Sequence, residues 1–189
     1  MLDHLHRLAL AVDGDADSQL RDDAARLTAV LVLVVSGFVG VQIVLLHSGH
    51  PVVLTVPHED RSPAVTSVGV RLRSVSTRFD GDSRAVVYSR TPGSLVDLAA
   101  DLAYALGGRT GGSDSSGSSP VELDVDLPFT ATETAITGLD ELATIHRAIG
   151  FLIDRGHHPD LAADTLHGHA VAAGLTTHAF ATRLLAPGP

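Results

Sequence analysis

The chain has 189 residues, 44% of them hydrophobic and 19% charged, which is enough apolar material for one large folded domain or two small ones. It contains no cysteine, so a disulfide framework and thiolate metal sites are excluded. The formal net charge is −9, which argues mildly against nucleic acid as a partner.

Helical patterns dominate the beginning of the chain. Apolar residues at helical spacing predict a short amphipathic helix over residues 2–12 and a second helix that begins at Ser18. The buried stripe of the second helix is predicted to consist of Leu20, Ala24, Leu27, Leu31 and Val34. The start of the chain lacks the basic-then-apolar pattern of a secretory signal, so we expect a cytoplasmic protein.

Residues 27–46 form an almost continuous apolar run of about the 20 residues that a membrane-spanning helix needs. Two interpretations fit this run: a membrane span, or a buried helix that leads into a buried strand. Ser36, Gly37 and Gly40 interrupt the run, and β-branched residues follow Gly40. These features favour the helix-to-strand reading, and no membrane association is expected.

Strand patterns follow. Alternating or β-branched residues predict four strands in a mostly antiparallel meander, over residues 41–47, 51–56, 68–73 and 85–89. The third of these strands is predicted to be half-buried, because its apolar residues alternate with Gly69, Arg71 and Arg73. An amphipathic helix over residues 95–106 ends at Gly107 and Gly108. The fold predicted for residues 1–108 is therefore a small α+β domain with an antiparallel sheet and flanking helices.

A second domain is predicted after a linker. Residues 109–120 are rich in Gly and Ser, which is typical of a flexible linker, and residues 121–189 form the second domain. Its patterns predict three helices: one ending near Arg155, one beginning at Pro159, and one capped by Thr176 or Thr177. Three short helices bury little surface, so we expect a homodimer or a protein partner.

The first helix of this domain carries a motif. Residues 145–156 resemble the first helix of ANTAR domains, and the resemblance extends over residues 139–185. The matching positions are small or apolar: Ile145, Ala148, Gly150, Leu152, Gly156, Ala162, Leu166 and Ala181. ANTAR domains bind paired hairpin loops in messenger RNA leaders and prevent transcription termination. They often follow a sensor domain, and residues 22–27, 41–56 and 91–102 are similar to a short GAF domain of the kind found upstream of ANTAR in actinobacteria.

The resemblance implies an RNA-binding transcription antitermination regulator with an N-terminal GAF-like sensor. In that function Arg147 and Arg155 are the expected phosphate contacts, supported by His146 and His167. The partner would be RNA hairpins. The aromatic residues Phe38 and Tyr88 either line a sensor pocket or pack in the core.

An alternative function follows from departures from the family pattern. Ile149 replaces the family's lysine, and uncharged or histidine side chains stand at its other basic positions, residues 167–168 and 175–176. From Val121 onward, three arginines against nine carboxylates leave a net charge of −6. The alternative is therefore a degenerate ANTAR protein that no longer binds RNA and serves as a protein-interaction or dimerisation module in signalling.

Six histidines in the second domain are the least usual feature of its composition: His146, His157, His158, His167, His169 and His178. These histidines have three interpretations: a metal site, a pH sensor, or exposed polar positions. No pair among them has the i, i+4 spacing of a helical zinc motif, so no metal is predicted. Protonation of all six would cancel the −6 charge. No nucleophile motif or cofactor motif is present, so we expect neither catalysis nor a cofactor.

Overall fold

The computed structural model describes residues 16–47, 50–58, 63–74, 82–107, 119–124, 129 and 131–186. The helix predicted over residues 2–12 and most of the predicted linker lie outside the described residues. The chain divides into two compact units. The first unit comprises residues up to Leu45 together with Val53–Ala135, and the second comprises Leu46–Val52 with Ile136–Pro189.

The chain is an α+β protein, as predicted. The described residues form five α-helices: α1 (Ala16–Val34), α2 (Val96–Gly107), α3 (Leu139–Asp154), α4 (Pro159–Ala172) and α5 (Thr177–Leu185). They also form six strands: β1 (Phe38–His47), β2 (His50–Pro57), β3 (Thr66–Arg71), β4 (Arg84–Ser89), β5 (Val121–Leu123) and β6 (Ala135–Thr137). The strands make one antiparallel sheet with the order β5-β3-β4-β1-β2-β6.

The apolar run near the start of the chain is a helix that leads into a strand, as the interruption predicted. Helix α1 ends at Val34, and β1 begins at Phe38 after a turn in which Gly37 has a φ of 68°. The left-handed φ explains the glycine, since other residues rarely adopt it. None of the helices in the described ranges has both the length and the apolar character that crossing a bilayer requires.

Two details of α1 differ from the prediction. The helix begins at Ala16, two residues before the predicted Ser18. Val34 was predicted to be buried, but its side chain is 62% exposed. The reason is that Val35 follows Leu31 by four residues and takes the inward position as the helix ends.

Strand β3 differs from the half-buried strand predicted for it. Ser67, Val68, Gly69 and Val70 are all buried, so both faces of the strand are covered. Strand β3 is also an interior strand of the sheet, because it is hydrogen-bonded to β4 on one side and to β5 on the other. Strand β5 was assigned from the sequence to the second domain, but it pairs with β3 inside the first unit. The C-terminal part of the second unit accordingly begins at Ile136, whereas the sequence analysis placed the start of the second domain at Val121.

The helical unit has a small core of its own. Its buried side chains are 0–5% exposed and come from all three helices: Ile145, Ala148, Leu152, Ala162, Leu166 and Ala181. Two of the predicted helix starts are confirmed. Pro159 occupies the first turn of α4, and the Thr176 hydroxyl accepts a hydrogen bond from the Ala179 N–H at 3.1 Å, which caps α5.

The close packing of these helices yields a stability prediction. Ala162→Leu places three extra carbon atoms in a fully buried site, and we expect it to lower the free energy of unfolding by about 1–3 kcal/mol. Ala172→Leu, at an exposed position of the same helix, should change it by less than about 0.5 kcal/mol. Chemical denaturation of both variants measures the difference. Equal effects would contradict the packing described for Ala162.

Candidate nucleic-acid interface

The two predicted phosphate contacts lie on one helix. Arg147 and Arg155 are both exposed, Arg147 within α3 and Arg155 at its C-terminal cap. Eight residues separate them, which corresponds to about 12 Å along the helix axis. Neighbouring phosphates of one RNA strand or of two facing strands can be reached over such a distance. The two cations of this one helix could therefore both reach phosphates of an RNA.

Both guanidinium groups are held by neighbours on their own helix. The Arg147 Nη2 donates to the Thr144 hydroxyl at 3.0 Å, and its Nε donates to the Ala143 carbonyl at 3.3 Å. The Arg155 guanidinium carbon lies 4.1 Å from the centre of the Phe151 ring. Exposed contacts of this kind are weak, so each side chain can exchange them for a phosphate.

The two supporting histidines are not gathered beside the arginines. His146 is exposed on α3, but adjacent residues of a helix point about 100° apart, so it does not share the direction of Arg147. His167 lies on α4, and its Nδ1 is 3.2 Å from the Thr177 hydroxyl of α5. The four predicted residues thus occupy different parts of the helical surface. Arg147 and Arg155 share α3, but the eight residues between them turn their side chains about 80° apart around its axis.

Acidic residues flank that pair. Asp140 and Asp154 lie seven residues before and after Arg147, which places all three on the same side of α3. Both carboxylates are exposed. An approaching phosphate would meet their negative charge along with the arginines.

The net charge of the helical unit depends on where the unit begins. Four of the nine carboxylates counted after Val121 precede Ile136 and belong to the first unit: Glu122, Asp124, Asp126 and Glu133. The second unit keeps three arginines and five carboxylates, which gives −2 in place of −6. The electrostatic case against RNA is correspondingly weaker than the sequence suggested.

The histidines are distributed around the helical unit. His178 on α5 lies 6.3 Å from His50, measured between ring centres, and both residues belong to the second unit. His169 packs edge-on against Phe180 at 6.0 Å. In the part of the chain that the structure describes, no three His, Cys, Asp or Glu side chains lie close enough together to hold a metal ion.

The two aromatic residues of the first unit that were considered for a pocket are both buried. Phe38 is 4% exposed, and its ring centre is 5.7 Å from that of His58. Tyr88 is 2% exposed and packs on Phe129 with a ring separation of 4.6 Å. A Cβ at Gly40 would collide with the Phe129 ring, so the glycine makes this stacking possible. Sequence reasoning missed Phe129, which no periodic pattern singles out.

The Tyr88 hydroxyl is buried and has no hydrogen-bond partner among the described residues. Burial raises the pKa of this phenol from 10.0 to about 12, although the positive charge of Arg84 acts in the opposite direction. The hydroxyl is therefore a neutral donor and acceptor at physiological pH. It lies on a sheet face that also carries Arg84, a residue that the sequence analysis did not single out.

Comparisons with family models, curated proteins and solved structures give no significant match to this chain. The ANTAR and GAF resemblances accordingly rest on the residues of the chain itself. In the helical unit, those residues are mainly the ones that form the buried core.

The pKa of Tyr88 predicts an alkaline loss of stability. Because the phenol ionises near pH 10 in the unfolded chain and near 12 in the folded one, its contribution is complete below pH 10 and disappears as the pH rises to 12. We expect Tyr88→Phe to reduce the fall in unfolding free energy over this window by up to roughly 1.4 kcal/mol per pH unit. Tyr104→Phe, at a side chain that is 89% exposed, should keep the wild-type pH dependence. Urea denaturation at pH 9, 10 and 11 makes the comparison, and identical slopes for all three proteins would refute the assignment.

Proposed function

We propose that the chain is a non-catalytic regulatory protein that binds RNA hairpins and acts in transcription antitermination, with the α+β unit as a GAF-like sensor and the helical unit as an ANTAR-like module. One observation carries the proposal. Six of the positions through which the sequence resembles ANTAR form one core shared by three helices: Ile145, Ala148, Leu152, Ala162, Leu166 and Ala181. The residues that carry the resemblance are thus the residues that hold the three helices together.

The charge of the helical unit supports RNA as the ligand under some conditions. At −2 the unit repels RNA only weakly. The unit has eight histidines, and protonation of the six that follow Ile136 would change its charge to +4. Five of these six histidines are exposed, so their positive charge would lie at the surface of the unit. RNA affinity should therefore increase as the pH falls from 8 to 6.

A second candidate is a module that binds protein instead of RNA. Leu161 and Val171 lie on the outer side of α4, and their side chains are 58% and 63% exposed. Leu175, just after this helix, is 36% exposed. Apolar groups on the surface of a small unit favour contact with another protein surface or with a second copy.

A titration separates the two candidates. The full chain is titrated with a tandem-hairpin RNA at 50 and 200 mM salt and at pH 6 and 8, and light scattering of the protein alone gives its oligomeric state. Saturable binding that weakens with salt and strengthens at pH 6 supports the RNA proposal. Failure to bind under all four conditions would rule it out and leave the protein-interaction module.

Removal of one arginine tests the site. Arg147→Ala should weaken RNA binding several-fold and reduce the slope of log K against log salt by about 1, because one phosphate contact is lost. Arg183→Ala removes the same charge from α5 and should have a smaller effect, since it is not part of the α3 pair. Equal losses in both variants would show that only net charge matters and would contradict the assignment of Arg147.

A further inference from the structure

The outer side of α3 carries a regular pattern of charge. Asp140, Arg147 and Asp154 follow one another at intervals of seven residues, which is about two helical turns, so they form one row along the helix. The row lies on the side opposite the buried residues Ala148 and Leu152. All three charged side chains are exposed, and none of the ion pairs in the described ranges includes them. A row with a cation between two anions matches a surface that presents charges of both signs.

Two residues within this row add a gap and an apolar group. Gly150 lies in the interior of α3, where glycine destabilises a helix. A Cβ added at Gly150 would meet nothing within 4 Å, so no close contact with the described residues explains the glycine. The ring of Phe151 contacts the guanidinium of Arg155 and is outside the core that the described residues of the helical unit form. The side of α3 that faces away from the core therefore presents an aromatic ring next to a gap.

The pattern is complementary to itself when two copies of α3 run antiparallel. A two-fold axis that passes between Gly150 and Phe151 places Arg147 of one copy opposite Asp154 of the other, because these residues are equally far from the axis along the helix. The symmetry makes this ion pair twice. It also places each Phe151 ring opposite Gly150 of the other copy, where the missing side chain leaves room for the ring. Antiparallel helices also have opposed dipoles, which attract each other.

We propose that α3 is the surface through which this chain binds a second copy of itself, packed antiparallel about a two-fold axis between Gly150 and Phe151. The two pairs of Arg147 with Asp154 fix the register, and the phenyl rings supply the apolar contact. Helix α3 is about 24 Å long, so a single pair of helices buries less surface than a standard interface. We therefore expect a reversible dimer that dissociates on dilution.

The dimer requires no RNA, and only one consequence rests on the proposed function. Because the dimer covers Arg147, a second copy and RNA would compete for the same side of α3. RNA binding would then belong to the monomer and would decrease as the protein concentration rises. The oligomeric state is measured without RNA, so failure of the RNA proposal and failure of the dimer proposal give different results.

Charge reversal tests the register. Sedimentation velocity of the full chain at pH 8, over a wide range of concentration, gives the dissociation constant of the dimer. Arg147→Glu and Asp154→Arg should each raise this constant about tenfold or more, since each variant replaces two attractive contacts by two repulsive ones. The variant with both changes has opposite charges facing each other again and should dimerise like the wild type.

Net charge alone cannot give this result, because the two single changes alter the charge of the chain in opposite directions. A wild type that stays monomeric at every concentration would overturn the proposal. A double variant that dimerises no better than the single variants would also overturn it.

A matched pair of glycine variants tests the close approach of the helices. Gly150→Leu should abolish the dimer, because the leucine fills the place of the Phe151 ring. Gly168→Leu is the control, since Gly168 is an exposed glycine inside α4 and an added Cβ there also meets nothing within 4 Å. Leucine favours the helix at both positions, so circular dichroism should show both variants folded. Equal weakening by the two variants, or weakening by Gly168→Leu alone, would contradict a dimer through α3.

Discussion

The contact of three short helices through small residues is the constraint on which the helical unit depends. Ala148, Ala162 and Ala181 are fully buried, so the helix backbones approach one another with only a methyl group from each. Ile145, Leu152 and Leu166 fill the remaining space. Because each helix contributes one narrow stripe to this core, the arginines, the carboxylates and most of the histidines of the unit lie outside the core. The core specifies the fold, and the surface can change without disturbing it.

The sheet of the first unit is covered on both faces where β1, β3 and β4 meet. On one face the buried residues are Val41, Ile43, Val68, Val70, Ala85 and Val87. On the other face Ser67, Val86 and Tyr88 are buried, and Phe129 packs against the cluster that Val86 and Tyr88 form with Val39. This second side also holds two buried polar atoms, the Arg84 Nε and the Tyr88 hydroxyl, that lack a hydrogen-bond partner in the described part of the chain.

Local patterns predicted local structure well. The break in the apolar run predicted the change from α1 to β1, and side-chain chemistry at Pro159 and Thr176 predicted where helices begin. Strand β5 was not anticipated as part of the sheet, because its pairing with β3 joins residues about fifty positions apart and follows the linker. The same limit applies to the opposition of Arg71 and Arg84, which depends on strand register. The exposure of Arg147 and Arg155 followed from helix periodicity, whereas the charge around them changed once the unit was found to begin at Ile136.

The most direct test is to find where RNA contacts the chain. A tandem-hairpin RNA is crosslinked to the full protein by ultraviolet light at pH 6, and the crosslinked peptides are identified by mass spectrometry. If the helical unit binds RNA through α3, the crosslinks fall between Leu139 and Gly156 and diminish in Arg147→Ala. Crosslinks confined to the first unit, or no more crosslinking than with an unrelated RNA, would contradict the proposal that the helical unit binds RNA through α3.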